Sequence, residues 1–585
     1  MEQRPETHWR FPRTWPRRSR TGDTVHHDTG TAGGRLRFAI VAFGHTIAAW
    51  QAEALRRVPA DLAHVVLRVE VTPPVDRRPP GAGTLLESLD DLYRRRRVAR
   101  PGRALEQRPL TTVAAGAATV RGTLERTATG RLRLPDDVVE QFRDHACDVA
   151  LNCTGQQLDG VPPSTLCHGV WEQRVTTADG RPDGDLASAG GLRPRLLHAA
   201  LVRLAPPGGG GDVLLQDGWL HSVPHSVAGT FDAIHGTTVE WLARTCREVV
   251  RWGGVPVRDG VAPQRDDARD GALVTAALRS PLRRLQRLVQ APFWQEDWHI
   301  GIVDATVEEL FRGGRLGPTR WLDGPSRRYY LADPFALDGD QTILAEAYDH
   351  LTRRGHIAAV QANGTGPPVA RPVIDAGGHM SYPQLIRSDG EVYCLPETCD
   401  QRRATLYRAV RYPDLWEPVA VLVDDFAATD ATVFRHDGGW WLLCTDDELG
   451  SLTNLHVFHA DELTGPWTPH LLNPVKIDVR SSRPAGPPFV VDGRLIRPAQ
   501  DGSHGYGSAV VFNEITDLSA DTFAETPVGR LDPPAHGPYR HGLHTVSPWG
   551  DRTLVDGKRK GLSVMNLLGR TRRVVGRTER SAGRR

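Results

Sequence analysis

A loose repeat runs through the C-terminal half of the chain and restricts its fold more than any other feature. Five short markers define the repeat, at residues 329–334, 379–383, 429–434, 482–487 and 541–544. Each marker precedes a strand, a turn containing Gly or Asp, and a second strand. A spacing of roughly 45–50 residues in an all-β segment is typical of propeller blades. The sequence therefore predicts a five-bladed β-propeller, with residues 294–310 completing or bracing the last blade.

The hairpin pattern within a repeat is clearest at residues 433–443, where Asp437 and Gly438 separate two apolar strands. Propellers gather the first strand of every blade around a central funnel. We therefore expect the marker side chains to converge there, although they lie far apart in the sequence.

The N-terminal part begins with a different pattern. Residues 36–44 read as a buried strand and a Gly turn, 46–57 as a helix, and 64–69 as a second strand. A βαβ opening indicates a doubly wound α/β sheet. The chain is thus predicted to be multidomain, with the following parts: a disordered arm (1–34), an α/β domain (35–255), a linker and helix (256–290), the propeller (291–562) and a basic tail (563–585).

Composition excludes several classes of function. The net charge of +2 over 585 residues argues against a strongly basic nucleic-acid binder. No apolar run reaches the ~18 residues of a transmembrane helix, and the Arg-rich N-terminus lacks the apolar core of a secretory signal. Seven scattered cysteines without a CxxC pair argue against a zinc ribbon. We expect a cytoplasmic chain with no nucleic-acid partner and no transmembrane segment.

Acidic and histidine residues in the markers are the first candidate site residues. Asp333 and Asp430 occupy equivalent blade positions and would form a carboxylate pair at the funnel, close enough to raise one pKa. Glu397 follows a strand of the second blade and is a third candidate catalytic group. His379 and His544 begin the second and fifth blades, and could be ligand contacts or a metal site. We assign both to substrate binding and predict no metal site.

A basic and polar group in the fourth blade is also predicted to face inward, at Arg483, Arg497, Gln500 and Asp501. A buried Arg needs an anionic partner. That partner could be Asp333 or Asp430, or it could be a phosphate or carboxylate of the ligand, which the guanidinium fork fits. These four residues are predicted to bind substrate.

The residues Ala332-Asp333-Pro334 and 429–434 resemble the five-bladed propellers of arabinanases and β-xylosidases. The resemblance implies that Asp333 is a general base and that Asp430 tunes the pKa of the acid. That family places the acid, a Glu, where this chain has Ala485. Standard glycoside cleavage needs such an acid to protonate the leaving oxygen.

A second resemblance covers about residues 290–560. It is to the propeller domain named from the N-terminal part of plant glucosamine inositolphosphorylceramide transferases. The residues that carry it include 331–335, 379–383, 396–398, 463–467 and 497–501. In that family the transfer chemistry is attributed to a separate glycosyltransferase domain, which this sequence does not show. The resemblance implies handling of a sugar or sugar-phosphate conjugate.

The N-terminal domain resembles formyltransferase-like domains fused to such propellers, through its βαβ opening and His168-Gly169-Val170-Trp171. Formyltransferases use an Asn, a His and an Asp, a set that is not visible here. We therefore expect a degenerate domain that transfers no formyl group, binds no folate and needs no cofactor.

Three functions remain open from the sequence. The favoured hypothesis is processing or transfer of a glycosyl group of an anionic conjugate, with Arg483 and Arg497 on the anion and Asp333 or Asp430 as base. The first alternative is a glycoside hydrolase with a displaced acid, possibly Glu397. The second alternative is a glycan-binding module without catalysis.

Overall fold

The computed structural model describes residues 34–74, 103–127, 131–177, 195–223, 227–258, 262–263 and 294–562, apart from 323, 325, 327 and 364–368. The predicted N-terminal arm before residue 34, the basic tail and almost all of the predicted linker and helix lie outside these residues. None of the helices described is long and apolar enough to cross a membrane.

The N-terminal part is an α/β unit. Its strands are β1 (Leu36–Phe43), β2 (Thr46–Ala48), β3 (Ala63–Thr72), β4 (Gln107–Pro109), β5 (Ala118–Thr123), β6 (Glu125–Arg126), β7 (Leu132–Arg133), β8 (Val149–Asn152), β9 (Val170–Thr177), β10 (Leu196–Arg203) and β11 (Val213–His221). Its α-helices are α1 (Ala49–Arg57), α2 (Asp136–Asp144), α3 (Val227–Thr238) and α4 (Trp241–Trp252), and short 3-10 turns span Arg103–Leu105 and Leu110–Thr112.

Seven of these strands form one sheet in the order β11-β10-β9-β8-β1-β3-β5. The pairs from β5 to β9 are parallel, while β10 and β11 add antiparallel strands at one edge. Helices α1, α3 and α4 pack on one face through Ala54, Ile234 and Trp241, and α2 packs on the other through Phe142. The sheet is covered on both faces, as a doubly wound sheet requires, but it is mixed rather than fully parallel.

The C-terminal part is a five-bladed propeller. Its elements are β12 (Trp294–Val303), α5 (Val307–Gly313), β13 (Thr319–Trp321), β14 (Tyr329–Ala336), β15 (Thr342–Asp349), β16 (Arg354–Gln361), β17 (Arg371–Ile374), β18 (Ser381–Ser388), β19 (Glu391–Glu397), a 3-10 turn (Cys399–Gln401), β20 (Arg403–Arg411), β21 (Leu415–Asp424), β22 (Ala428–His436), β23 (Gly439–Asp446), α6 (Asp447–Gly450), β24 (Asn454–Ala460), β25 (Thr468–Pro469), β26 (Lys476–Ile477), β27 (Phe489–Val491), β28 (Arg494–Asp501), β29 (Ala509–Leu518), β30 (Phe523–Leu531), β31 (Val546–Trp549) and β32 (Arg552–Leu562).

Each blade is one antiparallel sheet. Blades one to four are β14–β17, β18–β21, β22–β25 with β26 on β24, and β27–β30. Blade five joins the two ends of the propeller, because β12 pairs with β32 along its whole length, from Trp294 opposite Leu562 to Val303 opposite Thr553. The expectation that residues near 294 complete the last blade is confirmed. This pairing of the first and last strands of the propeller segment closes the ring of blades.

Candidate funnel site

The first strands of three blades share a β-bulge that turns one side chain toward the neighbouring blades. Pairing is interrupted between Ala332 and Phe335 in β14, and at the equivalent points of β18 and β22. The residues at the bulges, Asp333, Tyr382 and Asp430, have φ of +50°, +48° and +47°. This left-handed conformation is uncommon for residues other than Gly and is tolerated best by Asp and Asn. Bulges of this kind re-aim side chains at functional sites.

Asp333 belongs to a first cluster of buried polar groups, which we call the Asp333 cluster: Asp333, His544, Thr545 and Asp556. Oδ1 of Asp333 accepts a hydrogen bond from Thr545 Oγ1 at 2.6 Å and lies 3.4 Å from His544 Nε2. His544 Nδ1 lies 2.6 Å from Oδ2 of Asp556. Asp556 also accepts backbone N–H groups from His544 and Thr545 at 3.0 Å each, and from Asp333 at 3.3 Å.

The pKa values of Asp333 and His544 are both raised within this cluster. Burial raises the pKa of Asp333 to about 6, and Asp430 and Asp556 reinforce this against the opposing charge of His544. Burial alone would lower the pKa of His544, but Asp556 and Asp333 outweigh it and raise that pKa. Asp333 therefore changes charge close to neutral pH while His544 holds its proton more firmly.

Asp430 belongs to a second cluster, the Asp430 cluster: Glu397, Asp430, Arg483 and Gln500. Arg483 donates to both oxygens of Asp430, from Nε to Oδ2 at 2.5 Å and from Nη2 to Oδ1 at 3.1 Å. Gln500 Nε2 donates to Oδ2 of Asp430 at 2.7 Å. Glu397 Oε2 accepts the backbone N–H of Asp430 at 3.0 Å and lies 3.7 Å from Arg483 Nη2.

Glu397 is the proton-rich acid of this cluster. Burial raises its pKa to about 8, with the charge of Asp430 adding to the effect and Arg483 opposing it. Burial alone would lower the pKa of Arg483, yet Asp430 raises it well above its ordinary value. Arg483 and Asp430 thus form a fixed ion pair next to a carboxyl that keeps its proton at neutral pH.

A further carboxylate that the sequence reasoning missed is Glu346. It lies opposite Ala332 in β15, just as Glu397 lies opposite Ser381 in β19. The signal was available, because both face a marker residue across the first hairpin of a blade. Glu346 Oε1 is buried without a hydrogen-bond partner among the described residues, and burial together with Asp333 raises its pKa well above its ordinary value.

His379 lies beside Glu346 as expected of a funnel residue. Its Nδ1 accepts the backbone N–H of Gly355 at 2.9 Å, and its Nε2 lies 3.7 Å from Glu346 Oε1. Its side chain is 28% exposed, and burial lowers its pKa. A neutral His379 can present Nε2 to a ligand hydroxyl.

Aromatic side chains lie next to both clusters, and the sequence reasoning missed them. Trp298 stacks on His544 with ring centroids 3.8 Å apart. Tyr506 meets Trp298 and His544 edge-on, and its ring lies 5.2 Å from the guanidinium carbon of Arg483. Tyr506 is 37% exposed, so it offers a partly open aromatic face beside the buried acids. Lys558 Nζ lies 4.8 Å above Trp298.

Arg497, which the sequence predicts to bind substrate, makes its contacts with protein groups inside the fourth blade. Its side chain is fully buried and forms a bidentate pair with Glu525, at 2.7 and 2.6 Å. It also donates to the carbonyls of Ser481 and Ser482. Lys476 contacts the same Glu525 at 2.7 Å. Arg497 is therefore a structural cation inside the fourth blade.

Asp501, also predicted to bind substrate, is likewise engaged by protein groups. It is 1% exposed, pairs through Oδ2 with Arg530, and accepts the backbone N–H of Ser503 at Oδ1 at 2.7 Å. Gln500, its neighbour in β28, points the other way and reaches Asp430. Alternation of side chains along a strand separates the two.

Among the residues that the structure describes, one group of side chains could hold a metal ion. Ligand atoms of Asp333, His544 and Asp556 all lie within 4.8 Å of one another, and all three residues are buried. Protein groups already bind both carboxylates, since Asp556 accepts three backbone N–H groups and Thr545 donates to Asp333.

In the α/β unit, Asn152 stands at the carboxyl end of β8. Its Nδ2 donates to Glu172 at 2.5 Å and to the Gln156 carbonyl at 2.9 Å, and its Oδ1 accepts from Thr154. Both the amide nitrogen and the amide oxygen of Asn152 therefore already bind protein groups.

The fold and the site define a five-bladed propeller with a funnel rich in buried carboxylates. Residues 323–534 match the family described as "Glucosamine inositolphosphorylceramide transferase 1, N-terminal". Proteins named glucosamine inositolphosphorylceramide transferase 1 are 32% identical over 209 residues in Arabidopsis thaliana and 30% identical over 208 residues in Oryza sativa subsp. japonica. The matches cover 34% of this chain, and 27% and 28% of these relatives. The chain thus matches little more than a quarter of their length.

Solved structures similar to the chain include glycoside hydrolases. A thermostable family-43 glycoside hydrolase is 15% identical, with a TM-score of 0.27, covering 36% of this chain and 78% of that one. A family 117 glycoside hydrolase from Zobellia galactanivorans, Zg3597, is 13% identical, with a TM-score of 0.30, covering 41% of this chain and 88% of that one.

Proposed function

We propose that the chain is a carbohydrate-active enzyme that processes a glycosyl group of a sugar conjugate in the propeller funnel. The observation that carries the proposal is the contrast between two buried carboxyls in neighbouring clusters. Glu397, with a pKa of about 8, holds a proton at neutral pH, and Asp333, with a pKa of about 6, has given its proton up. Pairs of acids whose environments separate their pKa values mark acid and base roles. The similarity to glucosamine inositolphosphorylceramide transferases supports a sugar conjugate as the substrate class.

The two clusters suit one group-transfer step. Asp333 accepts the proton of an acceptor hydroxyl, and the hydroxyl oxygen forms a bond to the anomeric carbon. The bond from that carbon to the leaving oxygen breaks, and Glu397 gives its proton to the leaving oxygen. Asp430 raises the pKa of Glu397 by its charge, and Arg483 holds Asp430 in place. An acid at the position of Ala485 is then not required, because Glu397 supplies the proton.

The geometry changes the proposed role of the arginines. Arg497 lies within the fourth blade, and both oxygens of Asp430 already bind Arg483. An anion in the funnel would have to compete with Asp430 and face the charges of Asp333 and Glu346. We propose that the funnel binds the uncharged glycosyl part of the conjugate and that Arg483 acts on Asp430 rather than on a phosphate.

A glycoside hydrolase is the second candidate, and the protonated Glu397 is the specific observation that favours it. Hydrolysis and transfer differ here only in the acceptor, which is water in one and a hydroxyl group in the other. Glycan binding without turnover is the outcome to be expected if neither reaction is seen.

The test incubates the full-length protein with a set of aryl glycosides and glycosyl phosphates. Turnover is measured by product release and binding by calorimetry. We expect turnover of at least one compound, and its loss in Asp333→Asn with binding retained. Asp437→Asn is a matched control, because this carboxylate is 89% exposed in a hairpin turn of the third blade. Binding without turnover would show that the chain is a binding module and not an enzyme. No binding at all would refute the proposal.

We propose separately that the α/β unit, whatever its likeness to formyltransferases, transfers no formyl group. Formyltransferases use an Asn for catalysis, and the amide of Asn152 is already engaged by Glu172 and the Gln156 carbonyl, which supports this proposal. Turnover of a formyl-folate donor by the full-length protein would contradict it. A cytoplasmic location stays a prediction.

A further inference from the structure

The α/β unit is attached to the propeller close to the funnel. Two segments are involved, one just before the first strand of the fourth blade and one between its strands β28 and β29. The first, residues 478–483, ends at Arg483 and is called the Arg483 segment. The second, residues 502–508, connects β28 to β29, contains Tyr506 and is called the Tyr506 loop. Each segment contains a side chain of the candidate site.

The two segments are tied to each other. The backbone N–H of Gly502 donates to the carbonyl of Val479 at 2.9 Å, and that of Gln500 donates to the carbonyl of Arg483 at 2.8 Å. At the funnel, the Tyr506 ring lies 5.2 Å from the guanidinium carbon of Arg483. A displacement of one segment would therefore displace the other.

Strand β11 of the α/β unit binds the Arg483 segment. The backbone N–H of Val479 donates to the carbonyl of Trp219 at 2.8 Å. Arg480, which forms a bidentate pair with Asp478, places its guanidinium carbon 4.3 Å from the Trp219 ring. The contact is close because Gly218 has no side chain, and a Cβ there would lie 2.6 Å from the Ile477 carbonyl oxygen.

The same strand binds the Tyr506 loop through His221. Its Nε2 lies 3.0 Å from the carbonyl oxygen of Ser503. Burial lowers the pKa of His221, so the ring is neutral at neutral pH. A neutral ring can bond a carbonyl only if Nε2 carries the proton and donates it.

Contacts farther from the funnel fix the α/β unit on the propeller. The buried Arg244 of α4 donates to the carbonyls of Pro474 and Val475 at 2.9 and 2.8 Å. Thr237 of α3 donates to the carbonyl of Leu449 at 2.9 Å. These bonds hold β11 in a fixed place from which it contacts the two funnel segments.

We propose that the α/β unit is a positioning module for the funnel. His221 and Trp219 are positioning residues that act through the Tyr506 loop and the Arg483 segment, and they set where Tyr506 and Arg483 stand. The identity of the ligand in this inference rests on the proposed function, whereas the attachment of the two segments to β11 does not depend on it. The role also explains how the α/β unit serves the protein without a reaction of its own.

The test measures amide hydrogen exchange of the full-length protein without ligand. In His221→Ala, exchange at Gly505 and Ser508 should become roughly three- to tenfold faster, as expected from the loss of one hydrogen bond that holds the loop. His221→Gln keeps an amide donor and should restore slow exchange. Arg251→Ala is the control, since Arg251 contacts Asp521 across the same interface with its side chain 59% exposed. Arg480→Gln tests the other segment if His221→Ala does not fold.

Kinetics with the aryl glycosides provide the second readout. We expect His221→Ala to raise KM more than it lowers kcat, with recovery in His221→Gln. Unchanged exchange in His221→Ala, or an equal change in Arg251→Ala, would overturn the positioning role. So would faster exchange with unaltered KM and kcat. If the wild type neither binds nor turns over any of these compounds, the proposed function fails, and the exchange result alone decides the positioning role.

Discussion

Glu397 accepts a hydrogen bond from the backbone N–H of Asp430, 3.0 Å away in the next blade. The same relationship recurs between Asp556 and the N–H of Asp333, at 3.3 Å, across the join between blade five and blade one. In each case an acidic side chain on the second strand of one blade supports the bulge of the next. The bulge residues are strained at positive φ, and this support fixes them. The propeller repeat itself thus sets the positions of Asp333 and Asp430.

Asp333→Asn should remove the base. We expect kcat to fall by about 10²- to 10⁴-fold, the usual contribution of general acid–base catalysis, while ligand affinity stays within about threefold, because Asn keeps the size and an acceptor for Thr545. Steady-state kinetics and calorimetry on the same preparation check this. Retained turnover would show that another group accepts the proton.

Glu397→Gln should remove the acid, and its effect should depend on the leaving group. A leaving group that needs little protonation, such as a dinitrophenolate, should be released almost as fast as by the wild type, whereas alkyl glycosides should lose most of their turnover. The ratio of kcat/KM for the two classes is the measurement. An equal loss for both classes would argue that Glu397 is not the proton donor.

Arg483→Ala should destabilise the protein and raise the pKa of Glu397 further. Removing one partner of a buried ion pair commonly costs about 3–5 kcal/mol, and Asp430 would be left buried without its cation. Urea unfolding measures the loss, with Arg402→Ala as a control on an exposed pair with Asp425, where at most about 1 kcal/mol is expected. An unchanged stability with a salt-dependent loss of anion binding would support the ligand role instead.

Arg497→Met should act on stability alone. Glu525 would keep Lys476 but lose its bidentate partner, and the expected loss is about 3–5 kcal/mol. The folded fraction should bind ligand as the wild type does. Weaker binding at unchanged stability would show that Arg497 does contact the ligand.

The repeat in the sequence was sufficient to predict the propeller, because turn-marked hairpins recur at a fixed period. It also brought together Asp333, Asp430, Glu397, Arg483 and Gln500. It placed Arg497 and Asp501 in the same inward-facing group as Gln500, although alternation in β28 puts both on the side opposite to Gln500. Asp556 was missed because its role follows from the closure of blade five, a contact between distant parts of the chain.

Other features could not be read from one sequence. Tyr506 comes near Arg483 only through a loop that carries no repeat signal. The choice between Asp430 and a ligand anion as the partner of Arg483 depended on side-chain geometry, which the motif spacing leaves open. The antiparallel edge of the α/β sheet lies beyond the βαβ opening that indicated the fold.

The pH dependence of kcat/KM tests the central claim most directly. If Asp333 is the base and Glu397 the acid, activity should rise as pH increases through about 6, where Asp333 loses its proton, and fall above about 8, where Glu397 loses its own. The residual activity of Asp333→Asn should lack the acidic limb, and that of Glu397→Gln the alkaline limb. A profile whose two limbs persist unchanged in both variants would contradict the account.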